Sequence, residues 1–333
     1  MRFVDELAGL ESISVVGMAK NTGKTETLNY IIGLLSGRSE GIALTSIGID
    51  GERTDQVTRT EKPEITVPVG MSFVTSEKHF HQRKLTAEIF ALSKERTALG
   101  RLVAARTLIA GKVLLSGPAS TGGLRRLLAS MRDHGMKLTI VDGALSRLSL
   151  ASPTVTQGLV LATGAAVSTS IPELVKKTQY LYGLITLPEV EPALQQKLQE
   201  IERGVWAIDS EGELHDLQLP SVFLMAKLGK DLFRYGHRLY VAGAVTDRVV
   251  DTLRMQGSAT ELIVQDFTRV FVTARAMAAY VGTGGQVRCA MRNRLLAITV
   301  NPQAPNGYRL DSEKLRAAMH EALGIPVYDV RAL

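Results

Sequence analysis

Short apolar segments alternate with longer amphipathic segments along the first 190 residues. Short apolar runs bounded by turn residues are typical of strands buried on both faces of a parallel sheet, and a 3.6-residue apolar period is typical of surface helices. The pattern predicts strands at residues 12–16, 41–49, 64–69, 71–75, 113–115, 137–142 and 158–164. It predicts helices at residues 26–35, 84–93, 124–134 and from 172 onward. The expected fold class is α/β, with a mostly parallel sheet flanked by helices.

The pattern is weaker after residue 190. It predicts a hairpin from Val205, strands near residues 238–243, 261–265, 270–273, 295–300 and 325–330, and a helix at 311–323. We therefore predict two parts, a nucleotide-binding domain at 1–190 and a C-terminal α/β extension or second domain at 191–333. The sequence does not define the role of the second part, and partner binding is one candidate.

A glycine- and lysine-containing loop separates the first strand from the first helix. Gly23, Lys24 and Thr25 match the end of the G-x-x-x-x-G-K-[ST] phosphate-binding motif, in which successive N–H groups at a helix N-terminus hold an anion. The match is incomplete, because Met18 stands where the first glycine is expected and Gly17 lies one residue early. We predict that the nucleotide is bound by Lys20, Asn21, Thr22, Gly23, Lys24, Thr25 and Glu26.

Acidic residues follow two of the apolar strands. Asp142 ends the run Leu-Thr-Ile-Val, and Asp50 ends the run before Gly51, so both are expected at the carboxyl edge of the sheet. Glu52 is the alternative to Asp50, and the alternative role of Asp142 is that of a turn residue. Arg147 is a candidate for neutralising transition-state charge, with surface duty as its alternative. We predict Lys24 and Asp142 as catalytic residues, and Thr25, Asp50 and Asp142 as Mg²⁺ ligands.

Composition narrows the function classes. The chain has 333 residues, 45% of them hydrophobic, and neither a run of about 18 apolar residues nor a signal-peptide pattern, so we expect a soluble, cytoplasmic protein without a membrane span. The net charge of +6 is dispersed and only 5% of residues are aromatic, so nucleic-acid binding is not predicted. A single cysteine argues against disulfides and structural zinc.

The residues of the loop resemble those of one branch of nucleotide-binding proteins. The five residues between Gly17 and Gly23 resemble the dethiobiotin synthetase group, and Lys20-Asn21 before Thr-Gly-Lys-Thr resembles MobB-type proteins, both relatives of the MinD-like ATPases. MinD-like dimers carry a second lysine five residues before the loop lysine, where this chain has Ala19. No Asn/Thr-Lys-x-Asp guanine motif is found, so ATP is favoured and GTP is the alternative.

Four stretches, at residues 15–25, 140–147, 241–247 and 298–302, resemble the P-loop subunit of the factor that reactivates lysine 5,6-aminomutase, an adenosylcobalamin enzyme. The resemblance implies a Mg-ATP-dependent hydrolase that acts as a chaperone, exchanging damaged cofactor together with a MutS-like ATPase subunit. Homodimers are common in this branch. The alternative is a small-molecule kinase or ligase similar to dethiobiotin synthetase, with substrate near residues 116–123 and 145–152. A GTP-binding metallochaperone is disfavoured by the scarcity of Cys and the scattered His.

Overall fold

The computed structural model describes residues 3–7, 9–47, 64–144, 151–219, 222–257, 259–329 and 332. The chain divides into two compact units. The first unit comprises Met1–Thr178 together with Arg294–Leu333, and the second comprises Gln179–Asn293.

Strands and helices occur along the whole described part of the chain. In chain order, the strands are β1 (Ser12–Gly17), β2 (Ile42–Ser46), β3 (Ile65–Val67), β4 (Ser72–Ser76), β5 (Lys84–Thr97), β6 (Gly100–Val113), β7 (Leu138–Ala144), β8 (Gly158–Gly164), β9 (Val205–Ile208), β10 (Leu214–Asp216), β11 (Arg238–Val241), β12 (Val245–Thr246), β13 (Glu261–Val264), β14 (Val270–Phe271), β15 (Gln286–Cys289), β16 (Arg294–Asn301) and β17 (Val327–Tyr328). The α-helices are α1 (Lys24–Leu35), α2 (Glu77–His81), α3 (Thr121–Asp133), α4 (Ile171–Ile185), α5 (Pro192–Gln199), α6 (Met225–Leu228), α7 (Asp247–Met255), α8 (Ala274–Gly282) and α9 (Ser312–Leu323).

The first unit is built on a ten-stranded sheet. Nine strands follow the order β17-β16-β8-β1-β7-β2-β4-β6-β3, and β5 pairs with β6. The pairings from β17 to β4 are parallel, whereas β6 runs antiparallel to β3, β4 and β5. The α/β class with a large, mostly parallel sheet flanked by helices is thereby confirmed.

The first strand and helix form where the sequence predicts them. All six residues of β1 are buried between β7 and β8, as expected for a central parallel strand. Helix α1 buries Leu28, Ile31, Ile32 and Leu35, whose spacing places them on one helix face. The loop between β1 and α1 follows the last residue of β1 and therefore lies at the carboxyl edge of the sheet.

Two predicted elements in the middle of the first unit are wrong. Residues 84–93, predicted as a helix, lie in β5, which forms a long antiparallel hairpin with β6. The segment is rich in residues with helix propensity, but pairing along β6 overrides that local preference. The strand predicted to begin at Val113 is also displaced, because Val113 is the last residue of β6 and residues 114–118 form a loop.

The division into units differs from the predicted boundary at residue 190. Strand β16 pairs in parallel with β8, and β17 pairs with β16, so the last segment of the chain extends the first sheet. The predicted C-terminal region 191–333 is therefore split. Its residues up to Asn293 belong to the second unit, which begins at Gln179 within α4 and ends directly before β16.

The second unit has its own α/β core. Its five-stranded sheet has the order β10-β9-β11-β13-β15, in which β11, β13 and β15 are parallel and β9 is antiparallel to both neighbours. Tyr240 and Ile263 pack in its core with Leu194 and Leu198 of α5.

Across the described part of the chain, no helix combines the length and apolar character needed to cross a membrane.

Candidate functional site

The loop between β1 and α1 has a backbone suited to anion binding. Asn21 (φ 61°) and Gly23 (φ 84°) both adopt left-handed conformations, which glycine and asparagine tolerate better than other residues. Left-handed residues in a tight turn direct neighbouring N–H groups to one side and create anion-binding concavities. The first N–H groups of α1, which begins at Lys24, have no intrahelical acceptors and add to this field.

The loop backbone makes a close approach at Gly17, one residue before Met18, which stands at the expected glycine position. A Cβ on Gly17 would lie 2.5 Å from Oγ1 of Thr22 and 3.1 Å from the carbonyl oxygen of Ala19. Oγ1 of Thr22 donates a hydrogen bond to that same Ala19 carbonyl at 3.0 Å, which folds the loop over the end of β1. Met18 is held from the other side, because its N–H donates to the carbonyl of Ala162 in β8 at 2.8 Å. The glycine that is one residue early thus supplies the close approach.

The two residues predicted to be catalytic are in contact. Nζ of Lys24 lies 2.7 Å from Oδ1 of Asp142, and the two side chains are 24% and 19% exposed. Asp142 reaches this position because β7 lies beside β1, with Asp142 in register with Val15. Oδ1 of Asp142 is buried, and the ammonium group of Lys24 beside it balances the charge of the carboxylate. A cation and a carboxylate therefore meet beside the loop.

The backbone at Asp142 is fixed by the neighbouring strand. Oγ of Ser46, the last residue of β2, donates to the Asp142 carbonyl at 3.1 Å, and the N–H of Ile47 donates to it at 3.3 Å. These bonds hold the ends of β2 and β7 together and so limit the movement of the Asp142 carboxylate. Asp50, with its alternative Glu52, and Arg147 lie outside the described residues.

The remaining predicted residues of the loop differ in exposure. Lys20, Asn21 and Glu26 are exposed, Thr22 is buried by its bond to the loop backbone, and Thr25 is half-buried in the first turn of α1. Helix α1 is also anchored to the sheet, because Oγ1 of Thr27 lies 2.8 Å from Oγ1 of Thr299 in β16. All seven predicted binding residues therefore lie in the loop or in the first turn of the helix that it precedes.

Asn301 belongs to the same site, although the sequence analysis gave it no role. Its Nδ2 atom donates to the carbonyl of Asn21 at 3.3 Å, and its Cβ lies 2.8 Å from where a Cβ on Gly23 would be. Its own carbonyl accepts from the N–H of Ala165 at 2.9 Å, which ties it to the end of β8. The available signal was its place directly after an apolar strand, the rule that identified Asp142.

We expect Asn301→Ala to weaken nucleotide binding about fivefold. The substitution keeps the Cβ that packs on Gly23 but removes the amide that holds the Asn21 carbonyl, a hydrogen bond worth about 1 kcal/mol. Titration calorimetry with Mg-ATP measures the change. Asn306→Ala is the matched control, because the Asn306 amide accepts only from the N–H of Tyr308 in an exposed turn. Equal affinities for the two variants would contradict a positioning role of Asn301.

A second loop, residues 116–120, lies at the same edge of the sheet. Oγ of Ser116 is buried and lies 2.6 Å from Nδ1 of His79 and 3.1 Å from Oγ1 of Thr75. At Gly117 the backbone passes so close to the end of β2 that a Cβ would overlap the carbonyl oxygen of Ser46. Ser120 then accepts from the N–H of Gly123 and begins α3. His79 is thus a structural residue that secures this loop.

Gly117→Ala should destabilise the protein by about 2 kcal/mol, because the new methyl group has to displace the backbone of either β2 or the loop. Urea denaturation measures the loss. Gly122→Ala is the matched control, since its nearest contact for a new Cβ is Nη1 of Arg126 at 3.8 Å and alanine favours the helical conformation of α3. The control is expected to be neutral or stabilising by up to about 1 kcal/mol. Equal losses in both variants would show that the close approach is not what matters.

The donors at the site suit a hard divalent cation that arrives with phosphates. Mg²⁺ prefers oxygen ligands and commonly takes one or two from the protein, with the rest from phosphates and water. The hydroxyl of Thr25 and the half-buried carboxylate of Asp142 are donors of this type. No group of three or more His, Cys, Asp or Glu side chains within the described ranges could hold a metal ion by itself. Cys289 is no alternative nucleophile, because burial raises the pKa of its thiol to about 12.

Comparison with known proteins gives no match of any kind. No protein-family model, curated protein or solved structure matches this chain.

Proposed function

We propose that the first unit binds Mg-ATP at the loop between β1 and α1 and hydrolyses it. The observation that carries the proposal is the Lys24–Asp142 contact of 2.7 Å beside the left-handed turn at Asn21 and Gly23. A lysine, a carboxylate after a central strand and a helix N-terminus are the groups that phosphoryl transfer requires, because the reaction depends on positioning and on charge stabilisation.

In this proposal each residue has a defined task. The N–H groups of the loop and of the first turn of α1 bind phosphate oxygens, and Lys24 exchanges its contact with Asp142 for one with the terminal phosphates. Thr25 and Asp142 supply oxygen ligands for Mg²⁺, which neutralises the negative charge that develops on the phosphates. Asp50 remains the second candidate ligand. Asn301 holds the loop in its anion-binding conformation through the Asn21 carbonyl.

We further propose that hydrolysis serves to reactivate an adenosylcobalamin-dependent aminomutase, as the four stretches of resemblance imply. Three of those stretches contain residues of this site, namely Lys24, Asp142 and Asn301, which supports the proposal. The partners would be the aminomutase and a MutS-like ATPase subunit in the cytoplasm, with the second unit, residues 179–293, as the binding surface. The nucleotide would act by ordering the loops at the carboxyl edge.

A pull-down tests this role. The tagged protein is incubated with an extract of its native cells in Mg²⁺ and a slowly hydrolysed ATP analogue, and the bound proteins are identified by mass spectrometry. We expect an aminomutase or a MutS-like ATPase that is absent when ADP replaces the analogue. Recovery of neither protein would reject the chaperone proposal and leave the ATPase proposal to be judged by nucleotide binding.

The alternative function is an ATP-dependent small-molecule kinase or ligase. It is favoured by the position of residues 116–120 at the end of β2, the edge that also carries the phosphate loop. This function requires hydrolysis to depend on a small substrate. ATPase activity that is high in the purified protein and unchanged by added metabolites would exclude it. GTP remains the alternative nucleotide, and the ratio of ATP to GTP affinity decides between the two.

A further inference from the structure

A cavity of about 260 Å³ lies at the opposite edge of the first sheet. Ser12, the first residue of β1, and Thr139, near the start of β7, are part of its lining, whereas the phosphate loop follows the other end of β1. Because β1 has six residues and a strand rises about 3.3 Å per residue, the two sites are about 16 Å apart along the strand. The cavity is therefore separate from the proposed nucleotide site.

The cavity wall formed by α3 carries two arginines. Arg125 and Arg132 are seven residues apart, two helical turns, so both line the cavity from one face of the helix. Nη1 of Arg132 is paired with Oε2 of Glu11 at 3.2 Å. Glu11 also lines the cavity, and its N–H is held by Oε1 of Gln157 at 2.7 Å. The opposite charges of Arg132 and Glu11 therefore cancel.

Arg125 is the cation that remains. Its side chain is exposed to solvent, and within the described ranges it has neither an ion pair nor a hydrogen bond to the protein, so its five guanidinium N–H donors are open to a ligand. Arginine presents these donors in a planar fork that matches carboxylate and phosphate oxygens. A ligand with one anionic group would satisfy Arg125 and balance the charge of the lining.

The rest of the lining defines the body of the ligand. Leu128 and Ala129 of α3 line the cavity together with Met136 and Val155, and these four side chains supply an apolar patch within a lining that is otherwise largely polar. We propose that this cavity is a binding site for a small organic anion, with its carboxylate or phosphate group on Arg125 and a short aliphatic body against these four side chains. The site is independent of the nucleotide-binding proposal.

Titration calorimetry with two probes of matched body tests the site. Valerate presents a carboxylate and monobutyl phosphate presents a phosphate, each on a linear butyl chain. We expect at least one to bind the wild-type protein with a dissociation constant in the millimolar range or below, and Arg125→Ala to weaken that binding about tenfold or more. The probe that binds more tightly identifies the head group.

Three variants separate this site from other sources of binding. Arg126→Ala removes the neighbouring arginine of α3, which does not line the cavity, and should bind like the wild type. Lys24→Ala should also bind normally, since Lys24 lies at the other edge of the sheet. Binding that is lost in Lys24→Ala but kept in Arg125→Ala would overturn the proposal by placing the anion on the phosphate loop. Absence of binding by both probes would overturn it as well. The melting midpoint of Arg125→Ala should match that of the wild type.

Discussion

Replacement of Lys24 by alanine should lower the affinity for Mg-ATP about a hundredfold or more, a loss of about 2.8 kcal/mol or more. The ammonium group of Lys24 lies beside the carboxylate of Asp142, at the start of the helix that follows the phosphate loop. It is therefore placed to meet the terminal phosphates of the nucleotide. Titration calorimetry with Mg-ATP, or with a fluorescent analogue, measures the loss.

Lys177→Ala is the matched control for this experiment. Lys177 lies on α4 and pairs with Glu173 at 3.5 Å across one helical turn, an exposed pair that contributes little to stability. Its affinity for Mg-ATP should equal that of the wild type. The Lys24 variant also leaves Asp142 without its counter-charge, so its melting curve has to be measured first to show that it is folded. A folded Lys24→Ala protein that keeps wild-type affinity would reject the phosphate-loop proposal.

The parts of the fold that the sequence predicts well are those whose partners are close along the chain. Strand β1 and helix α1 are fixed by a buried apolar run and by a helical period within 24 residues. The hairpin of β5 and β6 is different, because the same residues suit a helix until they are paired along their whole length. Strand β16 was recognised as a strand, but its partner β8 is more than a hundred residues earlier, and no local pattern shows that pairing.

The same distinction applies to the site. Gly23, Lys24 and Thr25 are found from the motif alone, and Asp142 is found from its position after an apolar strand. Asn301 reaches the loop only because the chain returns from the second unit to add β16 to the first sheet. Because the sequence pattern predicts a separate region at residues 191–333, it gives no indication that Asn301 lies beside Gly23.

The chain connection suggests how the two units communicate. The second unit begins within α4 and ends at Asn293, and β16 runs directly from Arg294 to Asn301 at the phosphate loop. A nucleotide that alters the contact between Asn301 and Asn21 therefore acts on the last residue of the strand through which the chain leaves the second unit.

Asp142→Asn should reduce the rate of ATP hydrolysis about a hundredfold to a thousandfold while leaving nucleotide affinity in the absence of Mg²⁺ intact or higher. The amide is a poorer ligand for a divalent cation than the carboxylate, so charge stabilisation at the phosphates is lost. Without the carboxylate, Lys24 no longer has a competing partner at 2.7 Å and is available to phosphate. The rate of hydrolysis is expected to fall, whereas the affinity for the nucleotide without Mg²⁺ is expected to stay the same or rise. A loss of folding would instead lower both the rate and the affinity.

The measurement compares steady-state hydrolysis with dissociation constants for ATP in Mg²⁺ and in excess chelator. Asp133→Asn, at the exposed end of α3, is the matched control and should change none of these values. Wild-type hydrolysis with wild-type Mg²⁺ dependence in Asp142→Asn would leave Asp142 as a structural residue of β7 and transfer the metal-binding role to Asp50. Loss of affinity in chelator would instead mean that Asp142 acts through the position of Lys24. Only the predicted combination identifies the carboxylate as a metal ligand.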